Sequence, residues 1–123
     1  MKTNLMHSLI CDWDKIVAEK TRTGEKRPFF KGKTGTLEQM SCHVTTLNPG
    51  EKAHEPHRHP EEEMIIVKEG TLEALVEATK TKMGAGSVLF LAPQDLHGVT
   101  NVGSGPATYY VIKWWPAGIS TSR

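Results

Sequence analysis

Cysteine is scarce in this chain of 123 residues: Cys11 and Cys42 are the only two, too few for a disulfide framework or a four-thiolate zinc site. Two thiols in a reducing compartment is the plain reading. An excess of charge is also lacking. Fifteen Lys and Arg stand against fourteen Asp and Glu, a formal net charge of +1, so the electrostatic footprint of a duplex-binding protein is missing and no nucleic-acid partner is expected. Long apolar runs are absent too. His7 and Ser8 interrupt the stretch Met1 to Ile10 before it reaches the length of a signal-peptide core, and nothing approaches the roughly 18 apolar residues of a membrane span. A cytoplasmic location without a membrane partner is therefore expected. What is present is ordinary for a globular domain, 37% hydrophobic and 24% charged residues. A chain of this length buries roughly two-thirds of its unfolded surface and builds a core without staples.

Turn residues punctuate the second half densely. Asn48-Pro49-Gly50, Pro56, Pro60, Gly70, Gly84-Ala85-Gly86, Pro93, Gly98, Gly103-Ser104-Gly105-Pro106 and Pro116 leave pieces of at most about ten residues, which suit strands better than helices. Leu72, Ala74, Val76 and Ala78 alternate with Thr71, Glu73 and Glu77, the period of a half-buried strand. Met64 to Val67 and Val88 to Ala92 are continuous apolar runs, which predicts strands covered on both faces. Tyr109 to Trp115 is rich in β-branched and aromatic residues, and the alternation of Met40, Cys42 and Val44 with Ser41, His43 and Thr45 predicts another strand over Thr36 to Leu47. Only Asp12 to Lys20 suggests a helix, with Trp13, Ile16 and Val17 on one face and Asp12 as its cap. Lys20 to Lys33 carries six basic residues and one acid, Glu25. It reads as a solvated connection or, more sharply, as a segment that folds Arg22 or Arg27 over a cavity to pair with an anionic substrate. The fold class predicted is all-β, a sandwich or barrel.

Four of the six histidines, His43, His54, His57 and His59, crowd into residues 43 to 59, just before Glu61-Glu62-Glu63. In an extended chain, side chains two positions apart share a face, so His57 and His59 can address one point in space. Pro60 forces a turn or bulge that lets the chain reverse and bring a carboxylate alongside. Two imidazoles and a carboxylate make half a shell for a borderline divalent metal, and His97 is the natural further donor. Three nitrogens and one oxygen leave two positions of an octahedron open for water, dioxygen or substrate.

The segment from Asn48 to Gly70 resembles the first motif of the cupin superfamily, G(X)5HXH(X)3,4E(X)6G. His57-Arg58-His59 matches HXH, three residues precede Glu63, and six separate Glu63 from Gly70. The one departure is at the start, where six residues rather than five follow Gly50. Gly86 to Asn101 is similar to the second motif, G(X)5PXG(X)2H(X)3N. His97 and Asn101 are in place, Pro93 is one position late, and the glycine after it is missing. The resemblance implies a small single-domain cupin of the RmlC-like kind, a jelly-roll barrel (double-stranded β-helix) of two antiparallel sheets. It divides the chain into an N-terminal segment 1–35 packing on the barrel or on a partner subunit, a barrel 36–116 and a tail 117–123. It also implies His57, His59, Glu63 and His97 as ligands of a divalent transition metal (Fe, Mn, Ni or Zn). His54 replaces His57 if the extra loop residue shifts the register. Asn101 lines the cavity, supports a ligand by hydrogen bonding or caps a turn.

Catalytic candidates are fewer: His43 as acid or base if it points into the cavity, Arg27, and Tyr110, which with Trp114 and Phe90 is expected in the core or cavity wall. The expected function is a metal-dependent enzyme on a small organic molecule, of dioxygenase, isomerase or decarboxylase type. The alternative is a non-catalytic cupin that binds a sugar or organic acid. If Glu63 faces inward, Met64 and Ile66 face outward, and this apolar stripe predicts a homodimer.

Overall fold

The computed structural model describes residues 4–118. Of the expected tail 117–123, residues 119–123 lie outside the described residues, as do residues 1–3. A 3-10 turn at Trp13–Lys15 precedes strands β1 Glu19–Thr21, β2 Gly24–Gly32, β3 Leu37–Leu47, β4 Glu62–Glu69, β5 Leu72–Val76, β6 Thr79–Met83, β7 Val88–Leu91, β8 His97–Asn101 and β9 Ala107–Pro116. They form a six-stranded sheet in the order β1-β2-β3-β9-β4-β7 and a three-stranded sheet in the order β6-β5-β8. Every pairing is antiparallel. The all-β jelly-roll expectation holds, and no helix among the described residues is long and apolar enough to cross a membrane.

Period-two alternation explains how the large sheet divides its side chains. Leu47 pairs with Ala107, Thr45 with Tyr109, His43 with Val111 and Ser41 with Lys113, while Val67, Ile65 and Glu63 on β4 continue these rows beyond β9. Partners in an antiparallel ladder point to the same face. The inner face is thus graded along its length. At one end Leu47, Val67, Leu72 and Ala107 are almost wholly buried in the hydrophobic core, and at the other the inward positions pass to His43, Glu63 and Lys113. Apolar packing closes the first end, whereas polar groups hold the second open.

Gly70 turns β4 into β5 with φ +87°, and a Cβ there would meet the Ala107 Cα at 2.6 Å. That close approach accounts for the glycine ending the first motif.

The structure differs from the sequence reading in three places. The basic segment is a paired strand rather than a solvated connection: β2 carries Lys26, Arg27 and Lys31 and lies hydrogen-bonded between β1 and β3, its charges alternating with Phe30 and Pro28. Within Asp12 to Lys20 the helical piece is one 3-10 turn, Trp13–Lys15, which Asp12 caps by accepting from the Asp14 N–H, and Glu19 and Lys20 belong to β1. Nine residues form no helix here because the aromatic Trp13 is drawn onto the sheet, 6.2 Å from Phe29 and 6.4 Å from Tyr110 between ring centres. Finally, β7 is covered on one face only, with Val88 and Phe90 59% and 56% exposed while Leu91 is buried.

Candidate metal centre

The loop before β4 is pinned to β8 by a reciprocal pair of backbone hydrogen bonds, His57 N–H to the His97 carbonyl and His97 N–H to the His57 carbonyl, both 3.0 Å. Such a pair sets the two residues directly opposite one another. Gly98 permits this approach: Pro56 lies 3.3 Å from where a Cβ would stand. Alternation then sends Arg58 outward while His57 and His59 turn inward. Arg58 donates to both Glu77 carboxylate oxygens, at 2.8 and 3.2 Å, and to the Gln94 carbonyl at 2.9 Å. The residue between the two histidines therefore holds the loop in place. The backbone of His59 is fixed as well, its carbonyl accepting from Gln94 N–H at 2.8 Å.

The imidazoles of His57, His59 and His97 meet edge to face, with ring centres 4.7 to 5.0 Å apart. One nitrogen from each lies within 4.8 Å of the others. Glu63 Oε1 reaches the same point, 2.8 Å from His59 Nε2 and 3.4 Å from His97 Nε2. The sequence-predicted set of four thus converges, drawn from a loop, β4 and β8.

The donor chemistry suits a cation. His59 Nδ1 lies 3.1 Å from the Glu61 carbonyl, and His97 Nδ1 lies 3.0 Å from the Asp95 carbonyl. A carbonyl only accepts, so each Nδ1 carries a proton and each Nε2 lone pair is turned toward the cluster. A lone pair and a carboxylate oxygen at 2.8 Å repel unless a proton or a metal ion lies between them. Buried His97 Nε2 has no hydrogen-bond partner, an expensive state that a Lewis acid relieves. These residues fit a divalent ion.

Electrostatics follow from this crowding. Burial drives the His57 imidazole down, the neighbouring histidines push the same way, and its pKa falls to about 4. Burial pushes the Glu63 carboxyl up, but its contacts with His59 and His97 outweigh that and hold it at about 2. Burial also pulls His97 down, yet the Glu63 carboxylate and the Asp95 carbonyl more than offset it and raise its pKa above the ordinary value. The site therefore combines an ionised carboxylate with a His57 imidazole held neutral, its lone pair available to a metal.

His57, Glu63 and His97 of this cluster lie in the wall of a cavity of about 310 Å³ between the two sheets, walled elsewhere by Ile65, Leu91, Val99, Tyr109 and Val111. His43 lines it. Burial, aided by Lys26 and Lys113, lowers the pKa of His43 to about 4, so it is neutral at pH 7. His54 stacks on His57 with ring centres 4.0 Å apart and is exposed; the three imidazoles that converge are those of His57, His59 and His97.

Other candidates lie elsewhere. Arg27 donates to the carbonyls of Trp13 and Ile16, at 3.3 and 2.7 Å, and its guanidinium covers the Trp13 ring. Tyr110 packs edge-on against Phe29 on the outer face. Both are structural pins of the N-terminal segment, not cavity groups. Asn101 is fully buried and donates to the carbonyls of Leu47 and Gly105 while accepting from Gly103 N–H, all at 2.9 Å; it ties turns together and touches no ligand. Sequence reasoning missed Tyr109 and Lys113. The signal was available: both share the parity of Val111 on β9, opposite to Tyr110.

A barrel of two antiparallel sheets with an inward His-X-His pair and a third histidine on a later strand defines a cupin-type metal-site scaffold. The chain belongs to the cupin family: the model of the cupin domain matches residues 43–113, more than half of the sequence. Similar solved structures include an RmlC-like cupin from Shewanella frigidimarina NCIMB 400, 16% identical at a TM-score of 0.72 over 91% of this chain and 94% of that one. A Cupin 2 conserved barrel domain protein from Salinispora arenicola CNS-205 is 23% identical at a TM-score of 0.64, over 93% and 92%. An oxalate oxidase is 23% identical at a TM-score of 0.55 over 60% of this chain, which spans 41% of that protein. At such identities the likeness describes the fold alone. No curated protein matches the sequence.

Proposed function

We propose that this protein is a metal-dependent enzyme acting on a small organic molecule, its divalent transition ion held by His57, His59, Glu63 and His97. The observation that carries the reading is the convergence of three imidazole nitrogens and a carboxylate at the wall of the cavity. When bound, the ion supplies Lewis-acid polarisation of a substrate oxygen or, as iron, activation of dioxygen, chemistry that serves a dioxygenase, an isomerase or a decarboxylase.

The chain's own groups have separable tasks. The apolar wall excludes water from the reacting centre. Neutral His43 offers one nitrogen that donates and one that accepts, so it can pass a proton to or from a substrate in the cavity. The free thiols of Cys11 and Cys42 suit the reducing cytoplasm. The exposed Val88 and Phe90, paired across β4 with Ile66 and Met64, suit a homodimer interface; light scattering that returns the mass of one chain contradicts that part.

The test is turnover. Protein loaded in turn with Fe, Mn, Ni and Zn is offered a panel of small organic acids, hydroxy acids and sugars. Conversion with at least one metal, abolished by a chelator and by His97→Ala, is the expected result. Binding without conversion under every loading contradicts catalysis and leaves a sensing module.

A further inference from the structure

The cavity contains two ammonium groups for which the proposed chemistry has no use. Lys113 on β9 is registered against Glu63 on β4 and Ser41 on β3, so it rises into the cavity beside the carboxylate. His43 is its diagonal neighbour on β3, and Lys26 on β2 faces Thr45 on the other side of His43. Lys26, His43 and Lys113 thus form a row across three strands, and all three line both the cavity and an adjoining groove of about 480 Å³.

Glu25 and Glu63 line the same cavity and Glu61 the groove, but the ion pairs these carboxylates form are with other groups. Glu25 is turned to Arg27 at 3.8 Å, Glu63 is engaged by two histidines, and Glu61 stands 3.5 Å from His59 Nδ1. A metal ion would add positive charge. Such a site, in a partly desolvated pocket, attracts an anion. Its chemistry favours carboxylate over phosphate: the donors are two separate ammonium groups and an imidazole, with no helix N-terminus or cradle of backbone N–H groups.

We propose that the cavity binds small organic carboxylates, the acid group held between Lys113 and Lys26 and hydrogen-bonded by His43, the remainder packed on Ile65, Leu91 and Val111. This rests on the reading of the cavity as a substrate site, but the lysines need no ion to act.

The experiment is calorimetric titration of the full chain, both chelator-treated and Mn²⁺-loaded, with benzoate, pyruvate and succinate and with the corresponding neutral amides. At least one acid is expected to bind roughly tenfold or more tightly than its amide, as one charge-assisted contact implies. Lys113→Gln and Lys26→Gln should each weaken that acid by about the same factor. In the same variants Mn²⁺ should bind as well as in wild type or better, since a repelling cation has been removed; this opposite sign separates lost charge from lost fold. Amides that match every acid, or lysine variants that bind the acid like wild type, overturn the proposal. Acid discrimination without Mn²⁺ binding removes the metal reading and leaves this one standing, whereas Mn²⁺ binding without discrimination does the reverse.

Discussion

Replacing Asn101 by alanine tests whether the second motif's asparagine serves the fold rather than the site. Its side chain is 0% exposed and makes three hydrogen bonds of 2.9 Å, to the carbonyls of Leu47 and Gly105 and from the Gly103 N–H. Each is worth about 1 kcal/mol net, and more where the group left behind stays buried. Leu47 lies at the bottom of the core, so its contact dominates; the other two end at part-buried groups that regain water. The sum is a destabilisation of about 3 kcal/mol. Unfolding entropy near 2.1 cal/mol/K per residue then gives a drop in Tm of roughly 12 °C. Asn101→Asp should be at least as harmful at neutral pH, because it sets a carboxylate against two carbonyls and removes both donors. Urea unfolding monitored by tryptophan fluorescence, together with a Mn²⁺ titration, reads both effects. A loss below about 0.5 kcal/mol, or a metal affinity that collapses in a variant of unchanged stability, refutes the assignment.

Two further outcomes follow from burial. His57 and His43 have pKa values lowered from 6.5 to about 4, so their contribution to stability is complete above pH 6.5 and is lost as pH falls toward 4, where the unfolded chain binds protons that the folded one refuses. His43, the more buried of the two, gives a slope of about 1 kcal/mol per pH unit in that window. Urea midpoints of chelator-treated protein should fall between pH 6.5 and 5, and His43→Asn should flatten the trend; midpoints that hold level or rise contradict it. Burial pushes the Cys42 thiol up to about 11, leaving about one thiolate in a thousand at pH 8. A disulfide reagent should therefore modify one cysteine rapidly in the native protein and two in denaturant, and Cys11→Ser should abolish the rapid phase. Rapid labelling of Cys42 in the folded chain is the contrary result.

The strands over Leu37–Leu47 and Leu72–Val76 were legible because each has one face in the core, and burial writes itself into the sequence as period two, whereas Ala107–Pro116 showed in its β-branched and aromatic content. The four candidate ligands were legible because two motifs count them out. Strand β2 was not, since its alternation of Lys and Arg with Pro and Phe gains meaning only once β3 and the Trp13 turn cover it. The placement of Arg27 and Tyr110 against the Trp13 and Phe29 rings was hidden for the same reason: a cation and a phenol look alike whether they face a cavity or an aromatic cluster, and one residue of parity decides. Lys113 escaped notice because a lone lysine in an apolar strand resembles a solvated end. Only the pairing with Glu63 shows that it stands beside the histidines.

Metal stoichiometry tests the central claim most directly. Wild-type protein purified without chelator, together with His57→Ala, His59→Ala, Glu63→Ala and His97→Ala, is assayed by elemental analysis after confirming each variant's fold by circular dichroism. The account predicts close to one divalent transition ion per wild-type chain and a severe loss in every folded variant. Equal metal content across the set, or a metal-free wild type that takes up no ion when offered Mn, Fe, Ni or Zn, contradicts it.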